Sequence, residues 1–174
     1  VVAVGASASA VRLDDPAEIR RRREASPFAA IDPAMEATWT AEVDAVKGRG
    51  DTVGGVFEVA VFGCPPGLGS HAQWDLKLDA RLAAALMSVQ TVKGVEIGDG
   101  FAVAARPGSQ AHDAVEVRPD GTVRRTSNRA GGIEGGMTNS QPIVVRAAMK
   151  PISTLARPLE SVNLRTKQPE AAAY

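Results

Sequence analysis

Four glycines fall within the seven residues GGIEGGM, residues 131 to 137. Nothing else in the sequence restricts the fold as much. Glycine loses more backbone freedom on folding than any other residue. A cluster therefore marks either a sharp turn or a place where another group must approach the backbone closely. The flanks narrow the choice of element. PIVVRAAMK, residues 142 to 150, is apolar and β-branched and predicts a buried strand. Lys150-Pro151-Ile152-Ser153-Thr154 then places a cation and two hydroxyls around a proline-fixed turn.

Upstream, hydrophobic periodicity gives the remaining elements. Residues 1 to 13 alternate loosely and predict a strand. Asp15 and Pro16 open a short helix whose arginines, Arg20 to Arg23, can bind an anion or form a solvated face with Glu18 and Glu24. A second helix starts at Asp32-Pro33 and ends near Gly48, with Met35, Trp39, Val43 and Val46 on one apolar face. Phe57, Val59 and Val61 alternate within a strand over residues 52 to 63. CPPGLGS ends that strand. A third helix over residues 75 to 90 has Leu78, Leu82, Leu86 and Val89 on its apolar face. TVKGVEIGDGF is a short strand and a glycine turn, followed by a helical turn that Pro107-Gly108 ends. AVEVRPDGTVRRTS is a hairpin turning at Asp120-Gly121, and RPLESVNLRT is a last strand. Helices and strands of mixed order with hairpins predict an α+β fold in layers.

The 174 residues suffice for one ordinary domain, and 44% hydrophobic with 23% charged residues is a globular composition. Lys+Arg and Asp+Glu both number 20, which gives no general attraction to nucleic acid or to an anionic membrane. One cysteine, Cys64, excludes an internal disulfide and fits a reducing compartment. The chain opens on VVAVGA, with no initiator Met, and stops on KQPEAAAY. We expect an internal part of a larger polypeptide on that ground.

Few residues suggest chemistry on their own. His71, His112 and Cys64 lack metal-ligand spacing, and no G-x-S-x-G supports a serine nucleophile. His112-Asp113 is either a base with an orienting carboxylate or a structural pair. GGIEGGM is neither a Walker loop nor a dinucleotide fingerprint. Several backbone N–H groups of such a loop can face an anion, or a flat ring can lie on it. With Lys150, Ser153 and Thr154 downstream, the residues describe either a phosphate-ligand site or a structural turn.

Three runs resemble the chorismate synthase family: GDTVGGVFEVAVFGCPPGLGS, MSVQTVKGVEIGDGFAVAARPGSQAHD and NRAGGIEGGMTNSQPIVVRAAMKPIST. They stand in the family's order, strongly from Gly50 to Thr154. The resemblance implies a β-α-β sandwich core, here a single incomplete domain over residues 1 to 174 with its flavin portion at 87 to 154. It implies a carbon–oxygen lyase of the shikimate pathway. Phosphate is eliminated 1,4 from 5-enolpyruvylshikimate 3-phosphate to give chorismate, with reduced FMN lending an electron and no net redox change. It also implies a cytoplasmic homotetramer whose flavin is either reduced on the enzyme with NADPH or received already reduced from elsewhere, the latter being the usual bacterial arrangement. Carried over by position, Gln90, Thr91, Gly135, Lys150, Pro151, Ile152, Ser153 and Thr154 contact FMN, with Met149 as an apolar neighbour. Thr91 stands where the family usually has Ala. The family's Gly-Glu-Ser-His-Gly, Ser-Ala-Arg and Arg-Ser-Asp type motifs do not occur in these residues, and neither histidine stands in a catalytic context. No catalytic residue is therefore assigned. The alternative is a non-catalytic flavin-binding or structural fragment of the same fold.

Overall fold

The structure, a computed structural model, describes residues 1 to 172; Ala173 and Tyr174, the end of the KQPEAAAY tail, lie outside the described residues. In chain order the elements are β1 (Ala3–Val4), β2 (Ser7–Ala8), α1 (Pro16–Ala25), a 3-10 turn (Pro33–Met35), α2 (Glu36–Gly48), β3 (Gly55–Val61), α3 (Leu78–Met87), β4 (Val92–Ile97), α4 (Phe101–Ala104), α5 (Gly108–Ala111), β5 (Val115–Val117), β6 (Val123–Arg125), β7 (Ile133–Glu134), β8 (Met137–Thr138), β9 (Ile143–Met149), β10 (Glu160–Val162) and β11 (Pro169–Ala171). The expected α+β class is observed. Among the described residues no helix is long and apolar enough to cross a membrane. The chain divides into two compact units, Val1–Val56 with the chain from Met149 onward, and Phe57–Ala148.

In the first unit Trp39 is the organising residue. The α2 stripe brings it, fully buried, against Val4 and Ala30, with Met35, Val43, Phe28, Val1 and Val53 around it. Its ring meets Phe28 edge to face at 5.6 Å. Its Nε1 donates to Ser7 O at 2.9 Å, so the indole is buried with its polar atom satisfied. Asp32, also buried, caps the turn before α2 by accepting from Ala34 N at 3.2 Å, and accepts from Ser9 Oγ at 2.6 Å. The expected strand over residues 1 to 13 is a two-strand hairpin, with Val4 opposite Ser7; β1 also pairs antiparallel with the start of β3.

Helix α1 buries none of its residues. Glu18 binds Arg21 at 2.7 Å and Arg22 at 2.6 Å, so the arginine run is a solvated, ion-paired face. Those hydrogen bonds, Arg21's first, hold the Glu18 carboxyl down at about 2. The tail differs from the single strand expected over residues 157 to 166. It is a hairpin of β10 and β11, because Asn163 Oδ1 accepts from Arg165 N and Thr166 N and turns the chain back.

In the second unit β9 lies between β3 and β4. Ile133, Ile143 and Val145 form its core, packed by Leu78, Leu82 and Leu86 of α3 and by Cys64, Val95 and Ile97. The α3 apolar stripe is as expected up to Leu86. Val89 lies beyond the helix and is exposed. Arg146 on β9 meets Glu58 on β3 at 2.8 Å, with both side chains largely covered, so the charge inside the apolar run has a partner. Val59 and Val61 are 43% and 44% exposed. Alternation identified the strand but not the covered face. Pro107 does end one helical turn, and a second, α5, follows directly, with Pro107 as the residue before it.

Candidate functional site

The glycine cluster resolves into a tight hairpin. Ile133 pairs with Thr138 and Glu134 with Met137, so Gly135 and Gly136 form a two-residue loop. Both have positive φ, +58° and +84°, which is the requirement of a type I′ turn. The two glycines differ in surroundings. A Cβ on Gly136 would sit 2.6 Å from Ser70 O, whereas one on Gly135 would meet nothing within 4 Å. Gly135 is the exposed glycine of the four, and Gly131, Gly132 and Gly136 are buried. Three glycines thus serve close backbone packing, and the fourth presents an open backbone face.

CPPGLGS clasps this hairpin. Thr138, buried, donates its hydroxyl to Pro65 O at 2.6 Å and accepts from Leu68 N at 2.9 Å. Thr138 N reaches Leu68 O, Gly67 N reaches Thr138 O, and Leu78 N at the start of α3 reaches Gly136 O at 2.8 Å. Asp113 secures the approach to the hairpin. Its carboxylate accepts from Ser127 Oγ at 2.5 Å, Arg129 N at 2.8 Å and Ala130 N at 3.0 Å. Burial alone would push this carboxyl up. The hydrogen bonds from Ser127, Ala130 and Arg129, with the Arg129 charge, hold it below its ordinary value. His112 is exposed, so the pair is a structural carboxylate beside a surface imidazole.

Gln90 and Thr91 lie in the same unit, between α3 and β4. Gln90 is exposed. Thr91 is held at φ +75°, a conformation that costs a β-branched residue about 1–3 kcal/mol. Its Oγ1 is buried without a hydrogen-bond partner among the described residues. Val92 beside it is buried, and Val92 N donates to Val89 O, so the short connection forces the turn.

Lys150 to Thr154 belong to the first unit. All five residues are exposed, as is Met149. Among the described residues no protein group engages the Lys150 ammonium or the Ser153 and Thr154 hydroxyls. The turn therefore offers one cation and two neutral donors to solvent.

The whole of residues 1–174 matches the family model described as chorismate synthase. The chain belongs to the chorismate synthase family. A chorismate synthase of Acidothermus cellulolyticus is 56% identical over 173 residues, which is 99% of this chain and 44% of that protein. One of Nocardia farcinica is 52% identical over 174 residues, 100% of this chain and 43% of that protein. A crystal structure of chorismate synthase superposes with a TM-score of 0.78 at 43% identity, covering 87% of this chain and 48% of that one. The chain thus spans under half the length of the chorismate synthases it matches.

Within the chorismate synthase fold, the structure sorts the residues named from sequence. Gln90, Thr91 and Gly135 fall in the second unit and Lys150 to Thr154 in the first. Thr138 and Thr52 were not singled out from sequence, and Asp113 was read there only as half of the His112-Asp113 pair. Each acts on backbone far along the chain, Thr138 on Pro65, Asp113 on Arg129 and Ala130, and Thr52 on Ile152. The available signal was the GDTVGG and CPPGLGS runs themselves, whose glycines and polar residues no local turn accounted for.

Proposed function

We propose that the chain serves the reaction of its family: 1,4-elimination of phosphate from 5-enolpyruvylshikimate 3-phosphate to give chorismate, a carbon–oxygen lyase reaction of aromatic amino-acid biosynthesis with reduced FMN as cofactor. Its own part is to hold the flavin. The observation that carries this reading is the exposed Lys150–Thr154 turn with its unengaged ammonium and hydroxyls, in a chain that matches the family throughout. The residues suit the cofactor. Lys150 supplies a positive charge and Ser153 and Thr154 supply hydroxyls for its polar groups. Gly135 presents a backbone face with no side chain, on which a flat ring can rest. Bound reduced FMN supplies electron density that assists departure of the allylic phosphate. Around it, Thr138 and Gly136 keep the Gly135 turn in one conformation, so the surface is formed before the ring arrives. Family membership also supports a cytoplasmic homotetramer working on flavin reduced elsewhere.

Catalytic acids and bases are assigned to none of these residues. The 174-residue chain is accordingly expected to bind FMN and, assayed anaerobically with reduced FMN and substrate, to release no phosphate. A chimera in which this chain replaces the matching segment of the Acidothermus cellulolyticus chorismate synthase is expected to form chorismate. A folded chimera that binds no flavin and forms none contradicts the proposal. Phosphate release by the chain alone contradicts the division of labour.

A further inference from the structure

The Lys150–Thr154 turn has no hydrogen bond of its own: among the described residues no backbone bond joins two residues of the stretch 150 to 156. A turn without internal bonds needs an external hold to keep one conformation. That hold comes from residues 50 to 54, a hundred positions earlier. Thr52 Oγ1 donates to Ile152 O at 2.6 Å. Arg157 N donates to Gly50 O at 3.0 Å. Gly54 lies against the start of the turn. A Cβ there would collide with Met149 O and stand 3.0 Å from Pro151 Cδ and 3.1 Å from Pro151 N. Gly54 does not have a positive φ, so space and not backbone conformation excludes a side chain. Gly54 and Thr52 therefore touch the turn at its start and middle, and Gly50 holds the chain just past it, at Arg157.

We propose that Thr52 and Gly54 are positioning residues for the flavin-holding turn. Thr52 fixes the Ile152 carbonyl, at the centre of the turn, and so limits the directions in which Lys150, Ser153 and Thr154 project. Gly54 lets Met149 to Pro151 pass at backbone contact distance, which sets where Lys150 leaves β9. This accounts for the GDTVGG run, to which the flavin reading assigns no role; the inference rests on that reading.

The test compares wild type with Thr52→Val, Thr52→Ser and Gly54→Ala in the 174-residue chain. Backbone order parameters of residues 150 to 155 are read by nitrogen-15 relaxation without flavin, and FMN affinity by fluorescence titration. Thr52→Val is expected to lower the order parameters of residues 152 to 155 and to weaken FMN binding about fivefold, the worth of one hydrogen bond. Thr52→Ser keeps the hydroxyl and is expected to restore both. Gly54→Ala is expected to exceed Thr52→Val in both readouts. Unchanged order parameters in Thr52→Val overturn the inference. So do lowered order parameters with wild-type FMN affinity, since the turn would then be held without consequence for the flavin. If wild type binds no FMN, the flavin reading falls and the positioning role falls with it. If wild type binds and Thr52→Val binds equally, the positioning role falls alone.

Discussion

The Gly131–Thr138 hairpin and the Lys150–Thr154 turn are separated by a single strand in sequence and are held in opposite ways. The hairpin is fixed from within and beneath. Its glycines have positive φ, three are buried, and Thr138 ties it to CPPGLGS through two hydroxyl hydrogen bonds. The turn is exposed throughout and lacks internal bonds; Thr52 anchors it from a distant segment, and Gly50 anchors the chain just beyond it at Arg157. On the proposed flavin reading, the difference follows from what each would offer the ligand. A surface on which a ring rests must keep its backbone shape, so its cost is met by packing. Polar side chains that reach for charged groups must stay hydrated until the ligand arrives, because burying an unpaired ammonium is expensive.

Substitutions at the hairpin probe this contrast most strongly. Gly136→Ala combines a positive φ with a collision against Ser70 O, and is expected to cost about 3 kcal/mol or more of unfolding free energy. Gly135→Ala meets only the φ penalty, about 1–2 kcal/mol. Urea unfolding of the two variants decides it; equal losses would erase the distinction between the packed and the open glycine.

Asp113 tests the same packing through pH. Its carboxyl is held below its ordinary value of 3.8, so its contribution is complete above that value and is lost as pH falls through the lower folded value. Asp113→Asn removes charge and acceptor capacity and is expected to cost about 2 kcal/mol at neutral pH. The variant's stability is expected to change less with pH below 3.8 than the wild type's. Parallel acid limbs would remove Asp113 from the support of the hairpin.

Thr91 sharpens the comparison from the opposite side, because there the protein carries a local cost. An unpartnered buried hydroxyl and a positive φ coincide in one β-branched residue. Thr91→Ala is expected to raise stability by about 1–2 kcal/mol, as a higher urea midpoint. A loss of stability would mean that packing of the side chain outweighs its unmet hydrogen bond.

The elements with short-range signals were legible in the sequence. Trp39 and its helical stripe, the Asp32-Pro33 helix start, the Asp120-Gly121 hairpin and the β9 run all carry their periodicity or turn chemistry in a few residues. The glycine cluster announced a turn or a close approach, and the structure shows both at successive residues. What sequence did not convey depends on partners far along the chain. Thr138 reads as one more strand residue until Pro65 and Leu68 lie against it. Asp113 reads as half of a His-Asp pair until Ser127, Arg129 and Ala130 surround its carboxylate. The tail read as one strand because the turn is made by a single asparagine side chain, without a glycine or proline at its centre.

The most direct measurement is FMN titration of the 174-residue chain, followed by fluorescence at low and high salt, for wild type, Gly135→Val and Lys150→Ala. The account predicts saturable binding by wild type and weaker binding by both variants, with the Lys150→Ala deficit shrinking as salt screens the charge. Wild-type affinity in both variants at low salt would contradict the assignment of the glycine hairpin and the lysine turn to the flavin.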